Sequence, residues 1–340
     1  MTQRLWAGLA MVLAMLMMSG PVASAANPEV RFFRIGTGAT GGSYFPVGGL
    51  IANAISNPPG SLDCARGGSC GVPGLIATAV ATQGSVENVT AVADGVLDMA
   101  MTQSNVAHDA YAGEGPFADK EPRSNLRAVA NLFPEAVHLV VRDDSGIMNV
   151  ADLKGKRVSL GEPGSGTRVL ADIILAAYGL DESDIKLFSE QVGTAGDMLV
   201  ADELDAYFMV SGYPMNAVAQ TAESIPVRLV HILGPEADAI RKTYPFIGAD
   251  VMPEGTYSGV TDTVTLKVGA VLVAPATASD DLIYGITQAL WHQNNRKLLD
   301  SGHPLGKRIE LHKALDGIAI PLHPGAERFY REVGLTPGGD

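Results

Sequence analysis

An α/β fold built as two lobes is what this sequence predicts, and three observations carry it. Short apolar runs alternate with helix-like segments along nearly the whole chain, the pattern of βα construction around mainly parallel strands. Two glycine-rich loops, at 36–42 and 161–166, each follow a strand-like run and open a helix, one in each half of the chain. The length of 340 residues suits two units of roughly 150 residues each.

Composition narrows the class further. Apolar residues make up 46% of the chain, enough for sizeable cores, which excludes disordered and fibrous classes. Charged residues are only 18% and the net charge is −13, so no nucleic-acid partner is expected. The 39 glycines exceed the usual share of ~7% and imply many tight turns or close backbone approaches.

The elements follow in order. Arg4 precedes an uncharged stretch at 5–18, and Ala23-Ser24-Ala25 supplies a small-x-small cleavage pattern. Together these predict a leader at 1–25, cut after Ala25, and an exported chain beginning at Ala26. The uncharged stretch falls short of the ~20 residues that span a bilayer. A strand at 31–36 leads through glycines into a helix at 44–55. Cys64 and Cys70 then sit in a polar, glycine-rich stretch, where export favours a small disulfide loop. Strands are predicted at 75–82 and 99–102 around a helix at 85–94 opened by a Ser85 cap. Two separate strands follow at 126–132 and 137–142. The second series has strands at 157–160, 185–188, 206–210 and 227–232, with helices at 167–178, 195–201 and 214–222. A β-branched run at 261–274 reads as a long strand, and 280–299 as one long amphipathic helix.

The loops carry the chemistry. Gly36-Thr37-Gly38-Ala39-Thr40-Gly41 fits a dinucleotide fingerprint, yet an exported protein meets little of that cofactor and no acid closes a strand about 20 residues on. What survives is a helix N-terminus whose backbone N–H groups and dipole favour an anion, with Thr37, Thr40, Ser43 and Tyr44 as hydroxyl donors. Gly161-Glu162-Pro163-Gly164-Ser165-Gly166-Thr167 repeats the arrangement; it is no phosphate-binding Walker loop, because Thr167-Arg168 stands where Lys-Ser/Thr is required. Either loop alone reads as a capped helix start. Two in opposite halves point to one ligand between lobes. Thr82–Asn88 and Gln103-Ser104-Asn105 are further polar loops at strand ends.

Enzyme signatures are thin. Gly67-Gly68-Ser69-Cys70-Gly71 matches a nucleophile elbow, but no buried strand precedes it. The histidines never adopt metal-ligand spacing, and His303, His312 and His323 read as loop or surface residues, so no metal site is expected.

Taken together, Ile35-Gly-Thr-Gly-Ala-Thr-Gly-Gly-Ser-Tyr-Phe-Pro46, Gly84-Ser-Val-Glu-Asn88, Gln103-Ser104-Asn105-Val106-Ala107, Gly161-Glu-Pro-Gly-Ser-Gly-Thr167 and Pro321-Leu-His-Pro-Gly-Ala326 resemble the TAXI family. These are periplasmic solute-binding receptors of tripartite ATP-independent periplasmic (TRAP) transporters. The resemblance implies a type II periplasmic-binding-protein fold, with two α/β lobes joined by hinge strands around a ligand cleft. Lobe I would comprise 26–140 with 263–340, and lobe II 141–262. It implies a periplasmic receptor and not an enzyme, without a cofactor. Its ligand would be a small organic anion, a glutamate-like amino acid or a dicarboxylate, passed to the TRAP permease membrane subunits. The ligand-contacting loops fall on Gly38, Thr40, Tyr44, Ser85, Gln103, Ser165, Gly166 and Thr167, with Gly212 and Tyr213 from a later cleft loop. The sequence departs from the family at Phe45, where a second Tyr is common, and in the extra stretch holding Cys64 and Cys70. The alternative function is an exported α/β hydrolase-like enzyme.

Overall fold

The computed structural model describes residues 29–336; the leader expected at 1–25 lies outside them. In chain order, β1 (Arg31–Gly36), α1 (Tyr44–Ile55), β2 (Ser56–Asn57), β3 (Val72–Pro73), β4 (Leu75–Val80), α2 (Ser85–Ala93), β5 (Met99–Gln103) and α3 (Ser104–Ala112) come first. Next are β6 (Leu126–Arg142), β7 (Arg157–Ser159), α4 (Gly166–Ala177), β8 (Lys186–Phe188), α5 (Val192–Val200), β9 (Ala206–Ser211), α6 (Asn216–Ser224), β10 (Val227–Leu229) and α7 (Pro235–Thr243). The chain closes with β11 (Gly248–Met252), β12 (Thr263–Pro275), α8 (Asp280–Leu290), α9 (Gln293–Gly302) and α10 (Pro324–Glu332).

One sheet runs through the molecule in the order β4-β1-β5-β12-β6-β9-β7-β8. Its flanks are parallel, as βα construction requires, but its centre is antiparallel. There β12 lies between β5 and β6, and β6 pairs onward with β9. Two long strands therefore belong to both halves. Residues 126–136 of β6 pair with β12, and residues 136–141 pair with β9. Apolar side chains segregate accordingly. One pair of clusters draws almost wholly on residues before Pro134 and after Gly269. A second pair draws on residues between Ala136 and Val268. The result is two α/β lobes around a cleft, joined by hinge strands.

β6 corrects the expectation of two strands. Pro134 reads in sequence as a breaker, because it cannot donate to a ladder. Here it falls where β6 hands over from one lobe to the other. Opposite it, the Gly269 N–H turns to Ser104 Oγ at 3.3 Å. Two register shifts against β12, near Leu132 and Val129, add the local twist that bulges bring. The helix expected at 280–299 is likewise two helices. His292 takes an extended backbone, and its Nδ1 accepts the Asn294 N–H at 3.2 Å, capping α9 in place of continuing α8. His303 and His323 cap in the same way, accepting the N–H groups of Leu305 and Gly325 at 3.2 Å. These two rings are therefore structural caps, and burial lowers the pKa of both, keeping them neutral and able to accept. His312 is exposed.

Cys64 and Cys70 are bonded to each other, closing the loop between β2 and β3. Inside that loop the Ser69 hydroxyl accepts the Gly71 N–H at 3.1 Å and donates to the Ser56 carbonyl. The serine is spent on holding the loop, and no strand-to-helix elbow surrounds it.

Candidate functional site

The two glycine loops line one cavity, and each is tied across the cleft to another segment. Gly164 O accepts the N–H groups of Val86 and Glu87 at 3.0 and 3.4 Å, joining the first turn of α2 to the loop before α4. Ser211 Oγ donates to Ser43 Oγ at 3.0 Å from the other side. Several glycines permit this closeness. A Cβ on Gly164 would lie 2.4 Å from Gln83 Oε1, and one on Gly166 would lie 2.4 Å from Gln103 Oε1. Gly84 adopts φ 116°, a left-handed conformation that only glycine takes without strain.

Between the loops lies a cavity with about 80 Å³ open to the centre of a water molecule. A single water needs roughly 10–15 Å³ on that measure, so the space suits a small organic molecule. Its wall brings together seven of the expected residues: Gly38, Tyr44, Ser85, Gln103, Ser165, Gly166 and Thr167. The other three stand elsewhere. Thr40 is exposed and lines a separate cleft with Pro214 and His303. Gly212 faces Leu305, whose Cδ2 would lie 2.5 Å from an added Cβ. Tyr213 packs beneath the Arg308 guanidinium at 4.7 Å, and its hydroxyl donates to Asp250 at 3.4 Å.

The hydroxyls do less toward the cavity than the sequence suggests. Ser85 was the expected cap of α2, but its Oγ instead accepts the Gln103 N–H at 3.1 Å, fixing α2 to the end of β5. Ser165 is the true N-cap of α4, accepting from Arg168 N at 3.1 Å and donating to Glu162 O at 2.6 Å. Thr167 Oγ1 accepts the Val210 N–H at 3.1 Å and donates to Met209 Sδ at 3.6 Å. With these groups tied down, the loop presents mainly backbone, and α4 and α5 aim the positive ends of their dipoles at the cavity through Gly166 and Val192. Gln103 is 3% exposed and its Oε1 has no hydrogen-bond partner among the described residues. Buried amides are normally satisfied, so this oxygen marks a place for an incoming donor.

One further residue of the wall has a different character. Glu135, on β6 just past Pro134, is 1% exposed. Its Oε2 accepts the Tyr44 hydroxyl at 2.6 Å. Burial pushes the Glu135 carboxyl up to about 8, and the hydrogen bond from Tyr44 pulls only partly the other way. The same burial, with the neighbouring carboxyl, raises the Tyr44 phenol well above its ordinary value. Glu162 and Glu190 also line the cavity, and among the described lining residues there is no Lys, Arg or His. Sequence reasoning missed Glu135, Glu190 and Gln83. A signal for Glu135 existed: it is the one carboxylate in the apolar stretch between Arg127 and Arg142.

Away from the cavity, His108, Asp109 and Glu114 bring three potential metal-ligand atoms within 4.8 Å of one another. Asp109 and Glu114 also border a cleft with Arg168 and Tyr244. The His108 imidazole, 3.5 Å from Asp109, accounts for the nearest carboxylate as a simple side-chain pair. The other grouping, Cys64, Cys70 and His292, has both sulfurs engaged in the disulfide.

Solved structures share this architecture at low sequence identity. MatC from Rhodopseudomonas palustris, with bound malate, is 16% identical, with a TM-score of 0.52 over 90% of this chain and 97% of its own. PhnD1 from Prochlorococcus marinus, in complex with methylphosphonate, is 11% identical, with a TM-score of 0.51 over 90% and 99%. A protein from Bordetella bronchiseptica is 16% identical, with a TM-score of 0.51 over 91% of each chain. The fold is that of the periplasmic binding proteins, as the sequence predicts. A family model matches residues 35–334, and the chain belongs to the NMT1-like family.

Proposed function

We propose that the protein is an extracytoplasmic solute-binding receptor of the TAXI type, which captures a small organic anion between its lobes and delivers it to the membrane subunits of a TRAP transporter. The observation that carries this reading is the cavity itself. It lies between two separately packed lobes, takes its wall from the glycine loops of both, and has helix N-termini and an unpartnered amide oxygen facing inward. The order of loop motifs in the sequence supports the TAXI assignment. MatC and PhnD1, which have the same fold, hold small anions, malate and methylphosphonate.

The proposed ligand-binding residues are Gly38, Tyr44, Ser85, Gln103, Ser165, Gly166 and Thr167. Lobe I is taken as 26–140 with 263–340, and lobe II as 141–262. Ligand stabilises the closed state because each lobe supplies part of the contacts, and the permease reads that closed shape. The direct test is a thermal-shift screen over amino acids, dicarboxylates and 2-oxo acids, since a ligand that binds only the native state raises the melting temperature. A compound that does so and is returned unchanged supports the receptor. Turnover of an ester supports the alternative, an exported hydrolase. Uptake into vesicles carrying the permease, driven by an ion gradient without ATP, tests the transporter type; a strict ATP requirement overturns it.

A further inference from the structure

The cavity wall combines two chemically opposite kinds of group. Where α4 and α5 begin, backbone N–H groups face inward, an arrangement that favours negative charge. In the same wall Glu135 sits on a hinge strand, buried, with the Tyr44 hydroxyl as its partner. Among the described residues no cation lines the cavity to answer it. The other titratable groups of the cavity wall are Tyr44 from α1, which contacts it, Glu162 from the loop before α4 and Glu190 from the loop before α5. Lys267 on β12, next to the residue paired with Glu135, directs its ammonium to Asp250 at 3.9 Å. His138 on β6 is engaged with Ala136 O at 3.0 Å and the Tyr257 hydroxyl at 2.9 Å. A buried carboxyl without a counter-ion keeps its proton or takes a counter-ion from outside.

We propose that Glu135 is the specificity-determining residue of the cavity: it selects a ligand that carries a protonated amine beside its carboxylate, and binding drives the Glu135 proton into solvent. The step balances. The empty site holds a neutral carboxylic acid; the ligand ammonium arrives, the carboxyl gives up one proton to water, and a carboxylate–ammonium pair remains. A ligand with carboxylates alone brings no cation to Glu135, so it gains nothing there and releases no proton. The elevated titration range of Glu135, about 8, agrees with a site that is protonated at neutral pH before ligand enters. This assignment rests on the receptor reading above.

The test uses a panel of L-α-amino acids, each paired with its matching 2-oxo acid. Binding is measured by calorimetry at pH 7 and pH 9 in two buffers of different ionisation enthalpy. The amine-bearing member of a binding pair should be tighter by about 30-fold or more, the scale of a buried charge pair. It should release about one proton at pH 7 and much less at pH 9, where Glu135 has already ionised. Glu135→Gln, which keeps shape and a neutral side chain, should lose both the preference and the proton release. The wild-type proton count needs no variant, so the assignment stands or falls even if Glu135→Gln does not fold. Equal binding of an amino acid and its 2-oxo acid without proton release overturns the role of Glu135 and leaves the receptor reading intact. A cavity that takes no member of the panel overturns the role of Glu135, and the receptor reading falls with it only if the dicarboxylates also leave the melting temperature unchanged.

Discussion

The two glycine loops look alike in sequence and behave differently in the fold. The loop at 161–167 turns almost wholly toward the cavity, with Gly161, Glu162, Ser165, Gly166 and Thr167 in its wall. Its hydroxyls are consumed in capping and bracing, so it acts through backbone and dipole. The loop at 36–43 contributes Gly38, Ala39, Gly42 and Ser43 but leaves Thr40 exposed. Its helix has no side-chain cap, since Ser43 sits in helical geometry without capping α1. The value of this loop lies one residue on, in Tyr44, which reaches Glu135. A glycine-rich strand-to-helix turn thus specifies a close backbone approach, and which end of a ligand it meets depends on the side chain that follows.

The sharpest way to break that contrast is to add one methyl group to each loop. Gly166→Ala drives a Cβ into the Gln103 amide, at 2.4 Å from its oxygen, whereas Gly41→Ala meets nothing within 4 Å. The first should lose about 1–3 kcal/mol of ligand binding, up to about 100-fold in Kd. The second should leave Kd unchanged by calorimetry; equal effects would erase the distinction. The two threonines come next. Thr167→Val strands the buried Val210 N–H and should cost about 1–3 kcal/mol in denaturant unfolding. Thr40→Ala, at an exposed site, should stay within about 0.5 kcal/mol.

The buried carboxyl beside Tyr44 and a buried histidine respond oppositely to pH. The Glu135 carboxyl titrates near 8 in the fold against an ordinary 4.5. Its contribution is therefore full below about pH 4.5 and drains away as pH rises through 8. His138 runs oppositely. Burial lowers it from 6.5 to about 4, so its contribution is full above 6.5 and is lost as pH falls through 4. The two slopes oppose each other between 4.5 and 6.5 and part above it. Between pH 6.5 and 8 the empty protein should lose about 1–2 kcal/mol of stability through Glu135. Melting curves should show that decline in the wild type and a flatter profile in Glu135→Gln. A smaller loss is expected at the cap of the second loop: Ser165→Ala should cost about 1 kcal/mol of stability in the same melts.

Much of this architecture is legible in the sequence because periodicity and glycine placement are local signals. β1 and α1 have the predicted bounds, and the helix after the second loop ends at Ala177, with Tyr178 as its cap before Gly179, whose φ of 72° explains the stop. What the sequence hides is set by distant partners. Pro134 lies inside a strand because two different strands flank the point where it sits. The break between α8 and α9 comes from a histidine cap, an uncommon device without a glycine or proline to announce it. Glu135 escapes notice because its importance arises from Tyr44, 91 residues away. Gly212 and Tyr213 follow a strand that does reach the cavity, through Phe208, Met209 and Val210, yet both have left its wall by the time the chain turns.

The position of β12 has a consequence for how the chain is made. It is the last strand in sequence, yet it is wedged between β5 and β6 near the middle of the sheet. Until residues 263–275 emerge, β5 lacks its antiparallel neighbour and the first half of β6 has no partner strand. The sheet cannot close by growing outward from its earliest pieces. Pairings this distant in sequence form slowly and leave open edges meanwhile. A truncation after residue 262 should thus give an aggregating chain in place of a stable fragment.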